Sequence, residues 1–149
     1  MTAPRILVVP GGTAISAVAL ANASIHKLVE LYEERQADPN HPAPHTVVFL
    51  RDPALVPPAT LRGSAATPEQ AFPEEDYPGL ANQIKNDPHF FDGVDLVIST
   101  SGSSAGKPRL VGLSMDALMA SVKATELALG GPGRWILALP THHIAGAMI

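Results

Sequence analysis

The stretch Val94-Asp-Leu-Val-Ile-Ser-Thr-Ser-Gly-Ser-Ser-Ala-Gly-Lys-Pro-Arg109 decides how the rest of the chain is read. Its first part, Val94 to Ile98, is a short apolar run rich in β-branched residues and predicts a buried strand. It then breaks into small and hydroxyl side chains, Ser99 to Gly106, and closes on Lys107, Pro108 and Arg109. A loop of this kind can fold round an anion. Small side chains admit the backbone N–H groups, the hydroxyls donate hydrogen bonds, and the lysine adds a full charge.

Three patterns compete for these residues. The Walker A form has its second glycine and lysine at Gly106 and Lys107, but its first glycine falls on Ser101, and Pro108 replaces the metal-binding hydroxyl. Gly102-Ser103-Ser104-Ala105-Gly106 meets G-x-S-x-G, with Ser104 as nucleophile. That reading needs a helix immediately afterwards, whereas Leu110 to Leu113 reads as extended. It also needs His142 or His143 as base and a carboxylate such as Asp95 or Asp116. The bland alternative is a Ser/Gly surface loop. The third pattern is a resemblance. Thr100-Ser101-Gly102-Ser103-Ser104 and Gly106-Lys107-Pro108-Arg109 resemble the phosphate loop of the adenylate-forming acyl-CoA synthetase superfamily, T-S-G-[ST]-[ST]-G-x-P-K. Here arginine stands for the final lysine, and one extra residue, placed at Ala105, lengthens the loop.

Composition sets the frame. The chain has 149 residues, 46% apolar and 16% charged, which suggests one domain with a real core rather than a disordered segment. A net charge of −4 gives no electrostatic footprint for nucleic acid or an anionic membrane. Without cysteine there are no disulfides and no thiolate metal sites. The first residues carry no secretory pattern, and no apolar run approaches the ~18 residues of a membrane span. A cytoplasmic protein is the expectation.

In chain order, Arg5 to Val9 predicts a buried strand, Gly11-Gly12 a turn, and Thr13 the N-cap of a helix with Val18, Ala21, Ile25, Leu28, Val29 and Tyr32 on its apolar stripe. Val9-Pro-Gly-Gly-Thr13 could be a nucleotide-binding turn, but it lacks G-x-G-x-x-G and reads as a plain strand-to-helix turn. Residues 39–88 hold ten of the 15 prolines, a strand at Thr46 to Leu50, and the acidic run Glu74-Glu75-Asp76. They read as a long surface excursion whose acidic run is a solvated face. Tyr77 to Asn86 predicts a short helix with Leu80 and Ile84 on one side. His41, His45 and His89 lack metal-ligand spacing and read as surface residues. Beyond Leu110 to Leu113, Ser114 should cap a helix with Leu118, Met119, Val122 and Leu129 inward and Gly130-Gly131 as its stop. Trp135 to Leu139 predicts another buried strand. Alternating strands and helices predict an α/β fold, a mostly parallel sheet with helices on both faces, whose ligands bind beyond the strands' carboxyl ends.

The final stretch, Gly130-Gly-Pro-Gly-Arg-Trp-Ile-Leu-Ala-Leu-Pro-Thr-His-His-Ile-Ala-Gly-Ala-Met-Ile149, resembles the segment after the phosphate loop in o-succinylbenzoate–CoA ligases, and is similar to the actinobacterial forms. On periodicity alone, two surface or structural histidines are an equal reading. The resemblance covers roughly residues 92–149. It implies ATP-dependent activation of a carboxylic acid to an acyl-adenylate, then to a coenzyme A thioester, with Mg²⁺ accompanying ATP. It implies that Thr100, Ser101, Gly102, Ser103, Ser104, Gly106 and Lys107 cradle the ATP phosphates. His143 and Gly146 would line the acyl pocket, with His142 a further candidate for that wall. Adenine-binding residues, a magnesium-binding glutamate and the adenylation lysine lie further along such proteins, so no catalytic residue is assigned in this chain. The chain is therefore expected to be an incomplete amino-terminal domain over 1–149, with 94–109 its phosphate-loop segment, inactive by itself. The remaining expectation is a non-enzymatic remnant. Oligomeric state is not readable from the sequence.

Overall fold

The computed structural model describes residues 4–40, 45–55, 65–100 and 109–148. Four strands form one sheet in the order β1 (Arg5–Pro10), β2 (Thr46–Arg51), β3 (Leu96–Thr100), β4 (Arg109–Leu113). β1 pairs with β2, and β2 with β3, in parallel; β4 returns antiparallel on β3. The fold is α/β, with a mostly parallel sheet. β2, Thr46-Val-Val-Phe-Leu-Arg51, is buried at every position, as a central parallel strand covered on both faces must be.

Side chains alternate between the two faces. Val9, Val48, Leu50, Leu96 and Ile98 meet one layer, made by α1 (Ile15–Ala37), α4 (Met115–Leu129) and α5 (Ile144–Ala147). α1 buries Ala21 and Leu28 there and packs Ile25, Val29 and Tyr32 beside them, so the expected stripe is realised. Its cap differs from expectation. Ala14, not Thr13, is the N-cap residue, and its methyl side chain offers no capping acceptor. α4 follows its sequence signals closely. The Ser114 hydroxyl accepts from the Ala117 N–H, and Gly130 ends the helix at φ 82°, where a side chain would be strained. Ser114→Ala should therefore cost about 1 kcal/mol in a urea unfolding titration. Leu118 is buried as expected, but Leu129, the last residue of α4, is exposed.

The opposite face corrects the sequence reading. The expected surface excursion is a covering layer. Ala66 bridges to Ile6, and α2 (Pro68–Ala71) starts at a capping box between Thr67 and Gln70. α3 (Leu80–Asn86) begins three residues later than expected, after Gly79 at φ 74°. Ala71, Phe72, Tyr77, Ile84 and Phe91 close over Ile6, Val8, Val47, Phe49 and Val97. Phe72 stacks on Phe49 with ring centroids 5.0 Å apart and meets Tyr77 edge-on at 5.7 Å. The acidic run divides. Glu75 is exposed, Glu74 accepts the Gly79 N–H at 3.0 Å, and Asp76 pairs with Arg51.

Two further expectations change. Trp135 to Leu139 is not a strand. Trp135 is 55% and Ile136 87% exposed, and among the described residues no strand pairs with them, so β-branched and aromatic content alone could not make this segment a strand. His45 is half-buried rather than superficial, with Nε2 2.8 Å from the Val94 carbonyl. His89 is exposed, and His41 lies outside the described residues. No helix among the described residues is long and apolar enough to cross a membrane.

Candidate functional site

The carboxyl ends of β1, β2 and β3 lie together, and the Gly11–Gly12 turn, residues 140–146 and the Thr100–Arg109 pair are found at them. At β1, Gly11 donates its N–H to the Arg51 carbonyl at 2.8 Å, tying the turn to the end of β2. Thr141 then clamps Gly12. The Gly12 N–H donates to Thr141 Oγ1 at 3.2 Å, and the Thr141 N–H donates back to the Gly12 carbonyl at 3.3 Å. His142 lies directly on Gly11, where an added Cβ would come within 2.4 Å of His142 Cβ and 2.7 Å of its backbone nitrogen. The glycine pair thus has a reason beyond a plain turn. It lets residues 141–142 dock on the end of β1.

The docked segment is itself tightly folded. The His143 N–H donates to the Pro140 carbonyl at 3.1 Å, and α5 starts at once, with His143 as its N-cap. Gly146 is required there, because a Cβ would fall 2.2 Å from the Pro140 carbonyl oxygen and 2.7 Å from that of Leu139. The two histidines differ. His142 is buried and its Nδ1 has no hydrogen-bond partner among the described residues; His143 faces solvent. Their rings lie 4.4 Å apart. Burial, with His143 adding to it and Asp52 opposing it, holds the His142 imidazole below its ordinary pKa of 6.5. The unfolded chain therefore binds this proton more readily than the folded one. The stability from His142 is present above pH 6.5 and falls as pH drops from 6.5 toward the folded value. His142→Gln should flatten that part of a stability–pH profile measured by urea unfolding.

The hydroxyl-rich loop is represented here by its two flanking residues. Thr100, its first residue, is exposed at the end of β3, and its Oγ1 donates to the Arg109 carbonyl at 3.3 Å. Thr100, which ends β3, and Arg109, which begins β4, are register partners. Ser101, Gly102, Ser103, Ser104, Ala105, Gly106 and Lys107 themselves lie outside the described residues. At a strand spacing of about 4.8 Å, Thr100 stands two strands, about 10 Å, from the end of β1. Beside this end, between α1, α4 and residues 135–148, lies an apolar slot of about 330 Å³ with Trp135, Leu137, Met119, Thr141 and Gly146 among its walls.

The carboxylates weighed as partners for Ser104 are elsewhere. Asp95 precedes β3 at the amino end of the sheet, where Arg35 Nη2 and the Met115 N–H each donate to it at 2.8 Å. Asp116 accepts from Tyr32 Oη at 2.9 Å. The length of β3, about 16 Å, separates Asp95 from the end of the strand that leads into the loop. Neither carboxylate stands with His142, and the chain leaves the loop into β4 rather than a helix. Among the described residues no group of three or more His, Asp or Glu is placed to hold a metal ion.

The sequence reading missed Thr141 and Arg51 here. The signal for Thr141 is weak, a lone hydroxyl 129 residues from its partner. The signal for Arg51 is plain in retrospect, a cation ending an otherwise apolar strand.

No family model matches the chain. The chain is 37% identical over 108 residues to proteins called probable 2-succinylbenzoate–CoA ligase in two strains of Mycobacterium tuberculosis, CDC 1551 and H37Rv. The similarity takes in 72% of this chain but 24% of each relative, so the chain spans about a quarter of the length of the curated relatives it matches. No solved structure matches.

Proposed function

We propose that this chain carries the ATP-phosphate loop and part of the acyl pocket of an AMP-forming acid–CoA ligase acting on o-succinylbenzoate, a step of menaquinone biosynthesis. One observation carries the reading: the two segments with ligase-like sequence, one rooted at Thr100 and Arg109 and one at Thr141 to Gly146, lie at the same carboxyl end of one sheet. The similarity over 108 residues to probable 2-succinylbenzoate–CoA ligases supports the substrate.

The chemistry follows from the carboxylate's weakness as an acyl donor. One of its oxygens attacks the α-phosphorus of ATP, the bond to the β-phosphate breaks, and pyrophosphate leaves. The coenzyme A thiol, losing its proton, then displaces AMP from the acyl-adenylate. Thr100, Ser101, Gly102, Ser103, Ser104, Gly106 and Lys107 hold the β- and γ-phosphates through hydroxyl, N–H and ammonium donors, and Mg²⁺ enters with the nucleotide. His142, buried and held neutral, forms a polar but uncharged wall, with His143 at its solvent side. Gly146 lets the backbone turn tightly enough to seat that wall.

Thioester formation by the polypeptide of the whole reading frame, given ATP, coenzyme A and a panel of aryl, dicarboxylic and fatty acids, tests this. The expected product is succinylbenzoyl-CoA, with no product from the 149-residue chain alone. Turnover of a different acid keeps the ligase chemistry and discards the substrate. Absence of any thioester, together with no MgATP-induced rise in the melting temperature of the chain, returns it to the class of non-enzymatic domains.

A further inference from the structure

At the same end of the sheet, but on its opposite face, stands a cation that the ligase chemistry does not use. Arg51 ends β2 and is 1% exposed. Its Nη2 pairs with Asp76 Oδ2, and its guanidinium carbon lies 5.7 Å from the Tyr77 ring centroid. Among the described residues Nε, Nη1 and the Tyr77 hydroxyl are buried without a geometrically formed hydrogen bond, the hydroxyl lying close enough to the guanidinium to interact with it electrostatically. A guanidinium carries five N–H donors, and among the described residues one of its nitrogens has a formed hydrogen bond. Buried donors are almost always satisfied, and a buried cation short of acceptors calls for an explanation. Burial also raises the Tyr77 phenol above its ordinary pKa, leaving it a neutral donor. Donors are thus in surplus, and the carboxylate paired with Arg51, that of Asp76, is 28% exposed and sits at the boundary with solvent.

We propose that Arg51 and Tyr77 form an oxyanion-binding site, with Asp76 as the resident anion that an incoming phosphate or carboxylate displaces. The ligand class follows from the donors. Unmatched N–H groups of a permanent cation beside a hydroxyl suit an acceptor-only group with several oxygens. The placement follows from the fold. Arg51 stands at the carboxyl end of a central parallel strand, beside Pro10 in the register, with its carbonyl already holding the Gly11 turn. On the next strand Ser99, a buried hydroxyl residue, follows Ile98, the partner of Leu50, and by strand alternation faces the same layer as Arg51.

The two members of the pair should respond oppositely, which an ordinary structural ion pair would not do. The experiment titrates the 149-residue chain with sodium phosphate or sulfate, and separately with acetate or succinate, at constant ionic strength. Its readouts are the melting temperature and the Arg51 Nε–H signal in ¹⁵N NMR. Wild type is expected to show saturable stabilisation and a shifted Nε–H signal. Asp76→Asn, which removes the internal competitor, should bind about tenfold more tightly, the scale on which a charge-assisted hydrogen bond competes. Arg51→Gln should lose the response, and Arg51→Lys should weaken it while preserving the fold. A larger response to phosphate and sulfate identifies a phosphate-type ligand; a larger response to acetate or succinate identifies a carboxylate. An Nε–H signal unmoved at saturating anion, or an Asp76→Asn variant that binds no tighter than wild type, overturns the proposal. Lys107→Met should leave the Arg51 response intact. If it abolishes that response while Arg51→Gln does not, the anion sits on the 101–108 loop; that contradicts this site and leaves the ligase reading standing.

Discussion

Phe72→Ala should destabilise the chain by about 3–5 kcal/mol, the range for removing a large buried aromatic side chain. Phe72 is 1% exposed and lies at the centre of an aromatic group, stacked on Phe49 and meeting Tyr77 and Phe91. Against a total stability typically near 5–15 kcal/mol, that loss would leave much of the population unfolded in mild denaturant. Urea titration should show a lowered midpoint with an unchanged slope, because the surface exposed on unfolding stays nearly the same. Glu75→Ala, three residues along in the same segment but exposed, should stay within about 0.5 kcal/mol of wild type. The contrast tests whether residues 65–91 form a layer of the fold. Equal, small effects from both substitutions would make them the loose excursion that their prolines suggest.

The second large effect is expected at Gly146. Its missing side chain matters because the three nearest atoms, Pro140 O, Leu139 O and Pro140 C, are all backbone, at 2.2, 2.7 and 2.7 Å from where a Cβ would be. Backbone cannot swing aside as a flexible side chain can. Gly146→Ala should therefore shift either α5 or the bend at Pro140, and with it the seating of Thr141 and His142 on the Gly11–Gly12 turn. In the polypeptide of the whole reading frame, adenylation should fall about 100-fold, since a displacement near 1 Å in a site suffices for that. In the 149-residue chain, the amide signals of Gly11, Gly12 and His142 should move together. Gly133→Ala is the matched control, because its added Cβ would meet only the Trp135 ring, at an ordinary 3.6 Å. Activity retained in Gly146→Ala would separate the 140–148 segment from the chemistry.

The parts of the fold legible in the sequence are those set by neighbours in the chain. The β-branched runs at Arg5–Pro10, Thr46–Arg51 and Leu96–Thr100 became strands, and the Ser114 and Gly130 caps bounded α4. Each signal is local and periodic. Most of the covering layer was not legible: a helical period marks Leu80 and Ile84, but Ala66, Ala71, Phe72 and Phe91 follow neither a period of two nor one of 3.6. Their burial depends on an aromatic packing that forms only when the sheet is already beneath them. Trp135 to Leu139 failed for the converse reason. Its composition suits a strand, but a strand exists only where a partner offers its N–H and C=O groups.

The candidate site shows the same division. Thr100 and Gly146 could be marked from residue patterns, as could the His142–His143 pair. What the pair does with its surroundings could not, because His142 is buried by Gly11 at the other end of the chain and His143 is left in solvent. Arg51 and Asp76 are likewise 25 residues apart, and a cation on one strand does not announce which carboxylate meets it.

The most direct test of the central claim, that this end of the sheet serves ATP-dependent activation of an acid, is ATP–pyrophosphate exchange by the polypeptide of the whole reading frame. Exchange should require o-succinylbenzoate and fall about 10²–10³-fold in Lys107→Ala, the loss typical of removing one preorganised donor. Exchange that is equally fast without acid or in Lys107→Ala, or no exchange from the folded polypeptide with any acid, would contradict it.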